Sequence, residues 1–108
     1  MAYFNFSFYV PTADVEAVKN AVFEAGAGVI GEYSCCGWQV LGQGQFIAGA
    51  NSNPAMGEKN KMTSLDEYLV NIICAKDLMQ KVLNAFFAAH PYEEPAYFFT
   101  PILTKEDI

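Results

Sequence analysis

Strict alternation opens the chain: Phe4, Phe6, Phe8 and Val10 fall on one face between Tyr3 and Val10, and Asn5 and Ser7 fall on the other. Period two with aromatic side chains predicts a half-buried strand. Pro11 ends it, because a prolyl ring removes an amide donor. Thr12 is placed to cap a helix whose first turn carries Asp14 and Glu16, favourable at the positive end of the helix dipole. Val15, Val18, Val22 and Ala25 then recur at helical spacing, and Gly26 suits the position just past the helix end.

Val29 to Leu41 reads as a long strand bent at Gly31 and Gly37. Gly42-Gln43-Gly44 is a turn signal, and Gln45 to Ala48 returns as the second arm of a hairpin. The polar stretch from Gly49 to Ser64 reads as a mobile loop. Glu67 to Cys74 alternates Tyr68, Val70 and Ile72 against Leu69, Asn71 and Ile73 and predicts a strand. Lys76 to Ala89 carries Leu78, Val82, Ala85, Phe86 and Ala89 on one helical stripe, and Ala96 to Thr100 makes a last short strand. The expected order is β-α-β-β-β-α-β. That is an α+β, ferredoxin-like (βαββαβ-type) sandwich with one extra hairpin strand.

At 108 residues the chain makes a single domain, 1–108, with a polar tail from about 104. Hydrophobic residues are 53% and charged residues 17% of the sequence, so apolar surface exceeds what a small core absorbs and a subunit interface is expected. All six basic residues are lysines and the net charge is −6. A chain so acidic, without arginine, lacks the footprint for nucleic acid or for anionic membranes. Backbone amides leave a nucleotide ligand open. Cys35, Cys36 and Cys74 form no disulfide framework, and no run is long enough to span a bilayer, so a cytoplasmic protein is expected.

The chemistry concentrates in His90-Pro91-Tyr92-Glu93-Glu94-Pro95-Ala96-Tyr97, which holds the only histidine. Two prolines stiffen this segment directly after a helix. The structural reading makes His90 a partner for unpaired helix carbonyls. The functional reading makes His90 and Glu93 ligands for a divalent metal ion, with a neighbouring subunit completing the set, since zinc takes four ligands or keeps an open water position. Glu93 and Glu94 are adjacent in extended backbone and point apart, which disfavours an acid/base pair. Cys35-Cys36 lacks the spacing of a redox or zinc motif, and burial of both thiols on opposite faces of a strand is expected. Trp38, with Tyr33 and Phe46, offers a core, interface or ligand surface, interface preferred.

Several of these segments together resemble the small CutA-like domain of the YqfO/Nif-three family. The resemblance rests on Gly26-Ala27-Gly28 through Gly31, on Tyr33, Cys36 and Trp38, on Gly42-x-Gly44-x-Phe46, on the Gly49 to Gly57 loop and on the His90 to Tyr97 motif, and it covers Tyr3 to about Leu103. It implies a fold of CutA and PII type and a homo-oligomer, trimer first and dimer next. Larger family members carry a dinuclear metal site on flanking domains that are not represented here, so their hydrolase chemistry is not implied. Where the family pattern leads one to expect acidic residues, this chain has Ser34 and Phe98.

The function expected is an oligomeric binding or regulatory domain for a small molecule or a protein partner. Its ligand site would bring His90, Tyr92, Glu93 and Glu94 to face Cys36, Trp38 and Phe46, with Tyr92 and Trp38 as walls. Divalent-metal binding of CutA type is the alternative, and a metal-dependent hydrolase ranks last. No nucleophile has an evident partner base, so no catalytic residue is assigned.

Overall fold

A computed structural model describes residues 2–108. Strand β1 (Tyr3–Pro11) leads through a short 3-10 turn into helix α1 (Val15–Glu24). Strands β2 (Trp38–Ile47) and β3 (Met62–Ala75) follow, then helix α2 (Met79–Ala89) and strand β4 (Tyr97–Ile102). The four strands form one antiparallel sheet in the order β2-β3-β1-β4. Each β-α-β half thus leaves room for a strand of the other between its own two. The α+β, ferredoxin-like class expected from the hydrophobic pattern is what the chain adopts.

One part of that expectation is corrected. Among the described residues there is no extra hairpin strand, because Gly42-Gln43-Gly44 does not turn: these residues lie inside β2, opposite Glu67, Asp66 and Leu65 of β3. The reversal happens instead in the 48–61 loop, where the Asn60 amide donates to the Ala48 carbonyl at 2.6 Å. The strand expected from Val29 starts only at Trp38. Before it the chain folds back on itself, the Gly28 amide donating to Ile73 and the Cys36 amide to Gly28. Cys35, expected in a strand and buried, is exposed in that loop at φ +54°, Cys36 is half-buried beside it, and only Cys74 is enclosed.

The helices cover the face of the sheet that the alternation marked. Phe6, Phe8 and Val10 of β1 and Val70, Ile72 and Cys74 of β3 are buried against Val18 and Val22 of α1 and Val82 and Phe86 of α2. Phe86 is central, with Phe6 5.2 Å away edge-on and Phe8 at 5.1 Å, while Phe6 stacks on Phe99 at 4.5 Å. Such offset and edge contacts add to the burial of ring area itself. Thr12 makes no capping bond at the start of α1. The end of that helix is closed as expected: Gly26 at φ +111° lets its own amide reach Phe23 and the Ala27 amide reach Val22. That pairing satisfies carbonyls the helix leaves open, and the positive φ is where glycine has no steric penalty.

Among the described residues no helix covers the other face of the sheet. Asn5, Ser7 and Asn71 meet there, with the Ser7 hydroxyl 2.7 Å from Asn71 Oδ1. Around them the register places Trp38, Val40, Leu69 and Phe98 on the same side. Beyond Glu67, β3 pairs only with β2, so the hairpin projects as a two-stranded ribbon and the molecule measures 47 × 24 × 24 Å. Truncating Phe86 to alanine is expected to cost about 3–5 kcal/mol, the range for buried aromatics. Urea denaturation would check this, and a loss below about 1 kcal/mol would show that the helices do not depend on that ring.

Candidate functional site

The end of α2 is built around the imidazole. His90 is the last capped position of the helix, extended at φ −74° and ψ 136° as a residue before proline must be, with its amide still donating to Phe86. The residue is only 6% exposed. Nδ1 accepts the Tyr92 amide at 3.1 Å, which leaves the proton on Nε2, and Nε2 donates to the Tyr9 carbonyl at 2.8 Å. Tyr9 also donates its own amide to Ala96 at 3.2 Å. The imidazole therefore supplies a donor to β1 at a point the β4 ladder, which begins at Tyr97, has not reached.

This is the structural reading of His90 in a sharper form, and it bears on the metal-ligand reading. Both ring nitrogens are engaged, so neither has a lone pair free for a metal ion. No group of three or more His, Cys, Asp or Glu side chains converges with ligand geometry among the described residues. Burial lowers the His90 pKa below its ordinary 6.5, and the Tyr9 carbonyl and the charge of Asp14 oppose that only in part.

Past the imidazole the turn faces a cleft of about 490 Å³ between the Gly44–Gly49 end of the hairpin and the turn itself. Tyr92 forms one wall and reaches across it: its hydroxyl donates to Glu67 Oε2 at 3.2 Å, and its ring lies edge-on to Phe46 at 6.2 Å. Burial, and next the charge of Glu67, raise the Tyr92 pKa far above the usual phenol range, so the hydroxyl stays a donor. Glu67 fits only because Gly44 lacks a side chain; a Cβ there would collide with its carboxylate. Glu93 holds the opposite rim, its Oε1 accepting the Asn53 amide at 2.8 Å and so latching the 48–61 loop to the turn. Glu94 lines the same cleft.

Of the residues singled out in the sequence, Tyr92, Glu93 and Glu94 come together with Phe46, and His90 stands behind them as their support. Cys36 and Trp38 do not join them. Trp38 sits opposite Asn71 at the far end of β2, eight residues and roughly 26 Å of strand from Phe46. Tyr9 and Glu67 were missed. Glu67 had one legible signal: a glycine inside a strand, here Gly44, clears its face for a neighbour's side chain.

No family model matches the chain. The GTP cyclohydrolase 1 type 2 homolog of Mycobacterium tuberculosis is 48% identical over 89 residues, which is 82% of this chain and 24% of that protein. A Bacillus cereus protein related to NIF3 superposes with a TM-score of 0.80 at 32% identity, over 95% of this chain and 26% of that one. The chain thus spans about a quarter of the length of these relatives. The periplasmic divalent cation tolerance protein CutA of Archaeoglobus fulgidus shares the fold, with a TM-score of 0.69 at 16% identity over 96% of this chain and 89% of that one.

The His90 geometry sets a pH dependence. Because its folded pKa lies below the unfolded 6.5, the stability it contributes is complete above pH 6.5 and is lost as pH falls through 6.5 toward the folded value. Urea midpoints at pH 7.5 and 5.5 should show that fall. His90→Ala should cost about 2–3 kcal/mol at pH 7.5, from unpaired Tyr9 and Tyr92 backbone groups, and flatten the slope. An equal slope in the variant would assign the effect elsewhere.

Proposed function

Given that this chain is a homologue of one segment of the NIF3-related GTP cyclohydrolase 1 type 2 homologs, with the CutA-like fold, we propose that it is a self-associating binding or regulatory domain whose ligand site is the Tyr92–Glu67 cleft. The observation that carries this reading is the latch at the cleft rim. The 48–61 loop meets the turn through the bond from Asn53 to Glu93, so a ligand entering between them changes what the hairpin tip presents. The relatives' cyclohydrolase name belongs to proteins more than three times as long and is not carried over.

Self-association is supported by the sheet face without helices. Trp38 is 60%, Phe98 59% and Val40 42% exposed there, around the Asn5–Ser7–Asn71 cluster. An apolar face of this kind suits contact with further copies of the chain. The outer edge of β2 adds to it, since its ten residues contain no charge and no proline to discourage pairing. A trimer is the preferred assembly and a dimer the next.

Two measurements test the proposal. Glu93→Ala should raise amide hydrogen exchange across residues 49–57 while α2 and β1 keep their protection, and unchanged exchange in the loop would remove the latch. Native mass spectrometry should show an oligomer whose dissociation constant rises about thirtyfold in Trp38→Ala, the effect of one well-packed aromatic anchor. A monomer at high concentration would end the interface argument. The same spectra, with zinc or copper added, read the divalent-metal alternative: it needs His90 to exchange its Tyr92 bond for a metal, so adducts that persist in His90→Ala would refute it.

A further inference from the structure

The lining of the cleft says which kind of ligand it accepts. Three carboxylates face it, those of Glu67, Glu93 and Glu94, and no lysine or histidine lines it. Among the described residues the ion pairs are Lys19 with Glu16 and Lys61 with Glu58, so none of the three is neutralised by a lysine. Glu67 is the half-buried member. One of its oxygens accepts the Tyr92 hydroxyl and the other lies over Gly44, with no bond to the protein. The remaining lining is carbon-rich: Phe46, Ile47, Pro54, Met56 and the Tyr92 ring.

We propose that this cleft takes an organic cation, an ammonium or guanidinium group on a short apolar stem. The charge sits against Glu67 and the stem lies between Tyr92, Phe46 and Met56. The inference rests on the cleft being the ligand site and narrows it to one chemistry. A phosphate or carboxylate ligand would meet three uncompensated negative charges in a chain of net charge −6. A bare divalent ion would leave the apolar walls unused and would find no set of three ligating side chains. A cation with a carbon body uses both halves of the lining, through charge-assisted hydrogen bonds to Glu67 and through the negative faces of the Tyr92 and Phe46 rings. At about 490 Å³ the cleft has the size of a small-molecule site. The same headgroup is carried by free alkylamines and by the lysine or arginine of a peptide.

The test follows the methionine methyls of the full chain by NMR, since Met56 lines the cleft and Met62 and Met79 do not. The probes are butylammonium, butylguanidinium and a blocked arginine tripeptide, against butanol, butyrate and ATP. The cations should shift Met56 saturably, with Kd on the order of 1 mM for the four-carbon probes. Glu67→Gln should weaken them roughly tenfold, because the amide still accepts from Tyr92 but carries no charge. A tripeptide that binds more tightly than butylguanidinium supports the proposal with a protein as the source; equal or weaker binding supports a small amine. Butyrate, butanol or ATP shifting Met56 as strongly as the cations would overturn the cationic class and leave the cleft as the site. No probe shifting Met56, or shifts confined to Met62 and Met79, would overturn both.

Discussion

The imidazole of His90 is the pin on which the site depends. It joins three parts that are distant in sequence: the end of α2, the Tyr9 end of β1 and the turn that carries Tyr92. A buried histidine with one donor and one acceptor satisfied has a single tautomer and a single ring orientation. That fixes where the main chain emerges at Tyr92, and so where the phenol meets Glu67. Phe86 extends the constraint into the core, with its ring 5.2 Å from the imidazole, and Tyr92 extends it outward at 4.9 Å. The packing of α2 is therefore transmitted to the cleft through rings in contact.

The cleft itself comes from a second constraint, the space over Gly44, in a strand that also has glycine at 42. A strand with two side chains missing from one face is weaker as a strand, since glycine packs nothing and orders at higher entropic cost. What is gained at Gly44 is room for the Glu67 carboxylate of β3 against β2. With the Tyr92 hydroxyl donating to it from across the cleft, the Glu67 carboxylate is held in place. Stability is given up in the hairpin to form a polar point inside an apolar lining.

The small core explains why so much apolar area remains outside it. Two helices suffice to cover β1, β3 and β4 on one face only, and the half of the hairpin beyond Glu67 reaches past them. A four-stranded sheet covered on one side leaves its other side to water or to another chain. The residues there are mixed, hydrogen-bonded asparagine and serine at the centre and tryptophan, valine and phenylalanine around them. That composition is closer to a subunit interface than to a solvated sheet.

Much of the fold was legible in the sequence, because the period of apolar residues reports directly on which face is buried: Phe6, Phe8 and Val10 for β1, Val18 and Val22 for α1, Val82 and Phe86 for α2 all stand where the pattern put them. Gly26 as a helix stop was legible too, since a positive φ is a local requirement. The glycines at 42 and 44 misled, because the same residues signal a turn when local propensity decides and a cleared strand face when a neighbour decides. Cys36 and Trp38 were assigned to the site from their place in a motif, which carries no information about which end of a strand a turn will face. The chain by itself determined the two helices, strands β1, β3 and β4, the sandwich and the chemistry of the His90 to Tyr97 turn. Only the tertiary structure decided that the imidazole is spent on Tyr9 and Tyr92, and that Glu67 rather than a cysteine or tryptophan meets the turn. Those contacts join residues far apart in the sequence, such as Tyr9 with His90 and Glu67 with Tyr92, and strand register sets them rather than spacing.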